Sequence, residues 1–208
     1  MTHPPRRAPT RPDPPRRAPT RPGQGAVARL AAQGATHVCL PSEMPAPTIA
    51  VATRAARDLG LGVEVQVVGR AVLAVSARCS HARARARART KDNRRFGCGD
   101  DPDGMPLRAR DDRPILRVNG IRTQSGSYLD LLPEAARIVA DGVPHLRLMP
   151  QAVDRVAVAR LFRDVLDARL SAEDANGHLA ALSAGTTTSN GFYHGAAGCR
   201  RIALAAPA

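Results

Sequence analysis

From about residue 25 onward, short apolar runs alternate with stretches whose apolar residues recur at helical spacing. Residues 37–40 (HVCL), 63–68 (VEVQVV) and 72–76 are rich in β-branched residues and predict buried strands. Residues 114–119 and 145–149 (HLRLM) predict two more. Helical spacing covers 26–33, 47–61, 128–140, 153–170 and 171–183. The 47–61 segment carries Thr48 and Ile49 at its start and Gly60 at its end, both ordinary helix punctuation. Strands alternating with helices over short connections predict an α/β class with parallel strands, of barrel or open-sheet type. Four or five strands are too few to close an eight-stranded barrel, so the expected form is an incomplete TIM-barrel-like (β/α) domain.

The first 22 residues break this pattern. Pro4–Pro12 reads PPRRAPTRP, and Pro14–Pro22 repeats it with Asp13 between. Proline at that density fixes dihedrals and removes backbone donors, which predicts a disordered tail over 1–25 and a folded domain over 26–208. The chain has 208 residues, of which 43% are hydrophobic and 2% aromatic, so its core must come from Ala, Val, Leu and Ile. No apolar run reaches the ~18 residues of a membrane span, and the N-terminus lacks the apolar stretch of a secretory signal. A cytoplasmic location is the expectation.

Charge changes the picture once it is located. The net charge is +13, of which residues 1–25 hold +5 and residues 78–95 hold +7. The remainder is almost neutral, so no basic domain face is implied. The tract Arg83-Ala84-Arg85-Ala86-Arg87-Ala88-Arg89 could neutralise phosphates if it formed a strand. Base stacking needs aromatics, however, and Phe96 alone is near. A solvated loop is the expectation. The carboxylates Asp100, Asp101, Asp103, Asp111 and Asp112 read as a solvated face balancing that tract.

The segment over 78–103, RCSHARARARARTKDNRRFGCGDDPD, carries the most information. Its residues Arg78, Cys79, His81 and Arg83, then Arg89-Thr90-Lys91-Asp92-Asn93, Phe96, Cys98 and Asp101-Pro102-Asp103-Gly104, stand in a characteristic order. Asn119-Gly120-Ile121, Thr123-Gln124-Ser125-Gly126-Ser127-Tyr128, His145–Gln151 and Asn190-Gly191-Phe192-Tyr193-His194-Gly195 follow, with Leu40-Pro41-Ser42-Glu43 and Gly69-Arg70 upstream. Together these blocks resemble the collagenase-like peptidase family, in its UbiV-type branch, over about residues 26–200.

That resemblance implies half of a barrel-like heterodimer with a UbiU-like subunit, with other ubiquinone-biosynthesis proteins as further partners, while the scarcity of aromatics argues against a nucleic-acid partner. It implies four cysteines holding a 4Fe–4S cluster that supports dioxygen-independent hydroxylation of a ubiquinone precursor. Cys79 and Cys98 match ligand positions and are the candidate cofactor and metal residues. The third ligand position holds Arg94, and the proline-arginine repeat stands where the family's first ligand falls. A guanidinium cannot ligate iron. Cys39 and Cys199 match no ligand position. The alternatives are relic cysteines, a zinc site from Cys79, His81 and Cys98, an RNA-directed member using the arginine tract, or a non-functional truncated homologue. Neither H-E-x-x-H nor G-x-S-x-G occurs, so the family's peptidase name does not predict peptide hydrolysis. His37, His145, His178 and His194 read as isolated. Asn119, Gln124 and Ser125 are expected to line a pocket at a strand end.

Overall fold

The structure is a computed structural model that describes residues 24–84, 97–183 and 185–203. The proline-arginine repeat, Arg85, Arg87, Arg89, Arg94 and Phe96 lie outside the described residues.

Helix α1 (Gln24–Ala32) precedes β1 (His37–Cys39), and α2 (Ala46–Asp58) returns the chain to β2 (Gly62–Gly69). Pro47 sits in the first turn of α2, where its missing N–H costs nothing. β1 and β2 pair in parallel, with Val38 opposite Val63. After a long excursion, β8 (His145–Leu148) also joins β2 in parallel. Glu64 pairs with Cys39 on one edge and His145 on the other, which makes β2 the central strand. Near its end β2 also pairs antiparallel with β7 (Tyr128–Asp130), which pairs in parallel with β9 (Thr188–Ser189). Among the described residues these strands make an open five-stranded sheet and close no barrel.

The excursion builds a second sheet. β3 (Val72–Val75), β4 (Met105–Arg108), β5 (Pro114–Asn119) and β6 (Arg122–Ser125) form a fully antiparallel layer in the order β3-β6-β5-β4. The short helix α3 (Ser80–Ala84) and a 3₁₀ turn (Gly97–Asp100) pack beside it. α4 (Ala135–Ala140), α5 (Arg155–Leu166) and α6 (Ala172–Leu182) complete the fold. Asp154 caps α5 through the N–H groups of Val156 and Ala157, and Ser171 caps α6 through that of Asp174. No described helix is long and apolar enough to cross a membrane.

Two expectations change here. The described residues hold nine strands, not four or five, because β4 and β6 of the antiparallel sheet and β7 and β9 of the first sheet add to those expected. The helix expected over 128–140 is a strand, β7, followed by a short helix that starts after Pro133. Leu129, Leu131 and Leu132 imitate helical spacing, yet all three are buried at the junction between β7 and α4. The core itself is aliphatic, as the composition requires. Val38, Val63, Val65 and Val67 of the first sheet meet Ile49, Ala52 and Ala56 of α2, with Ile138, Phe162 and Leu179 from the later helices.

Candidate functional site

Strand β2 is buried along most of its length and ends at Gly69, which adopts a left-handed φ of 105°. A Cβ there would lie 2.7 Å from both Gln151 Nε2 and Met149 Cβ, so glycine lets the segment after β8 pass the end of β2. The next residue, Arg70, is completely buried. A buried guanidinium must have its donors answered, and these are. Nη2 and Nε donate to Asp103 Oδ2 at 2.6 and 3.3 Å. Nη1 donates to the carbonyls of Ser125 and Gly126 at 3.0 and 2.6 Å. The guanidinium carbon stands 4.5 Å from the centre of the Tyr128 ring, a cation–π contact. Gln66 Nε2 in turn donates to the carbonyls of Gly69 and Arg70, fixing the strand end that carries the arginine.

Tyr128 is held protonated. Burial, hydrogen bonding to Asp103 and the charge of Asp103 push its hydroxyl up to about 12. It therefore acts as a donor to Asp103 at neutral pH and not as a base. Asp103 Oδ1 is buried and has no hydrogen-bond partner among the described residues. Beside it opens a cleft of about 250 Å³, lined by Asn119, Arg122, Gln124 and Gln151 together with Asp103 and Pro102. The cleft lies where β2 and β8 end, the edge at which α/β sheets place their ligands. Its walls offer one guanidinium, three amides and one carboxylate. They orient a polar ligand by hydrogen bonds and supply no hydroxyl or thiol nucleophile.

Asn119 and Gln124 thus line one pocket, as the sequence leads one to expect. Ser125 does not join them, because consecutive residues of a strand point to opposite faces. It lines a second cleft on the other side of β6. The carboxylates expected to form a solvated face divide as well. Asp111 and Asp112 pair with Arg113 and Arg108 in solvent. Asp103 instead holds buried Arg70, and Asp101 meets buried His81 at 3.0 Å. The spacing of these residues carries no sign of that division.

Cys79 lies just before α3, where its Sγ accepts the N–H of Ala82 at 3.4 Å. Cys98 sits in the 3₁₀ turn, and the two segments pack together. His81 between them is buried, with Nδ1 on the Val118 carbonyl and Nε2 on Asp101. Both ring nitrogens thus tie α3 to β5 and to Asp101. Cys39 faces the carbonyl of Leu40 on β1, and Cys199 is exposed near the C-terminus. Among the described residues no group of three or more His, Cys, Asp or Glu side chains converges as a metal site. A four-iron cluster normally takes four thiolates. The described donors do not make up that set.

The histidines read as isolated acquire neighbours. His37 and His145 bring their ring centres to 5.5 Å across β2. His194 places Nε2 2.7 Å from Glu134 Oε1, the same oxygen that accepts Asn190 Nδ2 at 2.7 Å. Asn190 also exchanges hydrogen bonds with the backbone of Ile202, closing the C-terminal block onto the start of α4. Next to it, buried Asp130 contacts Arg201 at 2.9 Å and accepts the N–H of Leu132. Burial raises the Asp130 carboxyl above its ordinary value, against the opposing charge of Arg201. Glu134, Asp130 and Arg70 carry these networks; Glu134 did not stand out in the sequence, and Asp130 only ends the block that begins at Thr123. Gly69-Arg70 was visible as part of a block, without a role.

No solved structure matches the chain. The sequence profile of peptidase family U32 does match, over residues 24–203, taking in both sheets, the cleft and the C-terminal block. The chain belongs to peptidase family U32.

Proposed function

We propose that this chain is a UbiV-like accessory subunit of dioxygen-independent ubiquinone biosynthesis. It acts with a UbiU-like partner in hydroxylating a ubiquinone precursor, and its own iron–sulfur function is impaired. The observation that carries this reading is the cleft at the ends of β2 and β8. It is built to hold a polar group through Arg122, Asn119, Gln124 and Gln151, and it lacks a nucleophile for cutting peptides. The ordered block from Arg78 to Gly104 supports the branch. Among the described residues the open five-stranded sheet leaves β1 and β8 with free edges, which a barrel-completing partner would cover. Cys79 and Cys98 remain on packed segments as the two donors that match the branch, and Arg94 denies a third.

Dioxygen-free purification tests this directly. The chain alone should carry little iron and lack broad brown absorbance, and Arg94→Cys should improve iron retention in part. Co-expression with a UbiU-like subunit should give a co-purifying pair. About four irons and four sulfides per unmodified chain would overturn the impaired site. A chain that never associates with such a partner would overturn the accessory role.

A further inference from the structure

The face of β6 opposite the polar cleft borders a larger one, of about 520 Å³, within the size range of small-molecule sites. Its walls are Leu73 and Ile115 from the antiparallel sheet, with Leu129 and Phe192 from the other side. Leu73 and Ile115 are 39% and 49% exposed, although both are large and apolar. Two glycines keep the walls close and clear. A Cβ on Gly126 would lie 2.8 Å from the Ile115 carbonyl oxygen, and one on Gly198 would lie 2.2 Å from the Phe192 ring. Neither position admits a side chain, so the cavity cannot be filled from within by a simple substitution there.

The floor is polar. Ser125 Oγ is fully used, donating to the Ser127 carbonyl at 2.7 Å and accepting the N–H of Ala71 at 3.0 Å. Ser127 Oγ and Ser189 Oγ share a 2.8 Å hydrogen bond that either can donate, and Ser189 Oγ also lies 3.4 Å from the Tyr128 carbonyl. Ser127 has hydrogen-bonding capacity beyond that one contact, and it borders the cleft. A ligand hydroxyl, which both donates and accepts, pairs with Ser127 in either arrangement.

We propose that this cleft is a binding site for an apolar ring or chain bearing one hydroxyl group. Phe192 and Ile115 hold the apolar body, and Ser127 hydrogen-bonds the hydroxyl. A prenylated phenol is a molecule of this kind, and its identification as the natural occupant rests on the function proposed above. The binding itself does not.

The test uses 1-naphthol and naphthalene with the full chain in calorimetric titration. One 1-naphthol should bind per chain, about fivefold tighter than naphthalene, the value of one hydrogen bond. Ser127→Ala should remove that preference. Ile115→Arg, at an exposed position, should abolish binding of both while the melting temperature stays unchanged. Bound 1-naphthol should also slow disulfide-reagent labelling of Cys199, read by mass spectrometry of its peptide, because Cys199 borders the cleft. Absence of saturable binding, binding that survives Ile115→Arg, or no preference for the hydroxyl would each overturn the proposal. So would Cys199 protection that grows with protein concentration alone, which marks a second copy as occupant. Binding that appears only after removal of residues 204–208 would overturn it too. Naphthol binding without hydroxylated product in the paired system sinks the functional reading and leaves the cleft. Product formation unaffected by Ile115→Arg does the reverse.

Discussion

The two sheets of this protein are held in place by different physics. The five-stranded sheet shares one aliphatic core with the helices, and its strand β2 supplies four core valines. The antiparallel sheet of β3 to β6 contributes no residue to that core cluster, and Val118 is its single fully buried apolar side chain. Leu73, Val75, Leu107 and Ile115 are exposed on it. Apolar burial at ~25 cal/mol per Å² can account for the first sheet and not for the docking of the second. That docking runs through Arg70, which reaches from the end of β2 to Asp103, Ser125 and Gly126. An inserted sheet can thus be fixed by one buried charge while keeping its faces free for clefts.

The largest effect should come from breaking that anchor. Arg70→Ala leaves Asp103 without its partner in a buried setting, a change that costs about 3–5 kcal/mol in comparable pairs. Limited proteolysis of the variant should cut within β3 to β6 well before the parallel sheet. Arg70→Lys should recover part of the loss, because a lysine keeps the charge but cannot bond the carboxylate and two carbonyls together. If both variants melt like the parent, the anchor is not what joins the sheets.

Leu132→Ala tests the other half of the comparison. Leu132 is completely buried in the core, and such truncations cost about 2–5 kcal/mol. Here proteolysis should show global unfolding with no early release of the antiparallel sheet. Hydrogen exchange sharpens the point in the unmodified protein: amides of β2 should open only with global unfolding, whereas those of β5 should exchange through a cheaper local opening.

The sequence reveals each of these sheets only in part. β1, β2, β3, β5 and β8 were legible because runs rich in β-branched and aliphatic residues such as VEVQVV and PILRVN are hard to read otherwise. β6 (RTQS) and β4 (MPLR) lack an apolar face that packs on the core, so no periodicity announces them. β7 has three residues, too few for alternation, and its leucines continue into a segment of helical spacing. In the site, Asn119 and Gln124 were reachable from the family resemblance. Arg70 was not given a role, since arginine is rarely fully buried and only the folded chain brings Asp103 to it. Cys79 and Cys98 stand on packed segments, while Arg94 lies outside the described residues.

A smaller effect depends on pH. Burial raises the folded-state pKa of Asp130 above its ordinary value of 3.8. The folded protein then holds that proton more tightly than the unfolded chain. Asp130 contributes stability that is fully present below 3.8 and is lost as pH rises through the raised folded value. Asp130→Asn removes the titration. The melting temperature of the parent should therefore gain on that of the variant as pH falls from 7 toward 4, and the difference should level off below 3.8. A gap that widens in the opposite direction would mean that Arg201, not burial, dominates the site.

The smallest effect returns to the antiparallel sheet and to two aspartates that look alike in sequence. Asp111 and Asp103 both belong to the acidic stretch, and each meets an arginine at 2.6 Å. Their surroundings differ. The Arg113 and Asp111 side chains are 75% and 55% exposed, while Arg70 beside Asp103 is 1% exposed. Water and salt screen the first pair, and ordering two mobile side chains offsets most of what remains, so such pairs contribute about 0–1 kcal/mol. Asp111→Asn should thus shift stability by less than about 0.5 kcal/mol, with the difference vanishing at high salt. Asp103→Asn should cost several times more and keep its effect in salt, because the buried guanidinium would then lack its counter-charge. Urea denaturation of both variants at low and high ionic strength separates the two cases. Equal losses would mean that burial of Arg70 does not set the strength of its pair, and the account of how the second sheet is fastened would fall with it.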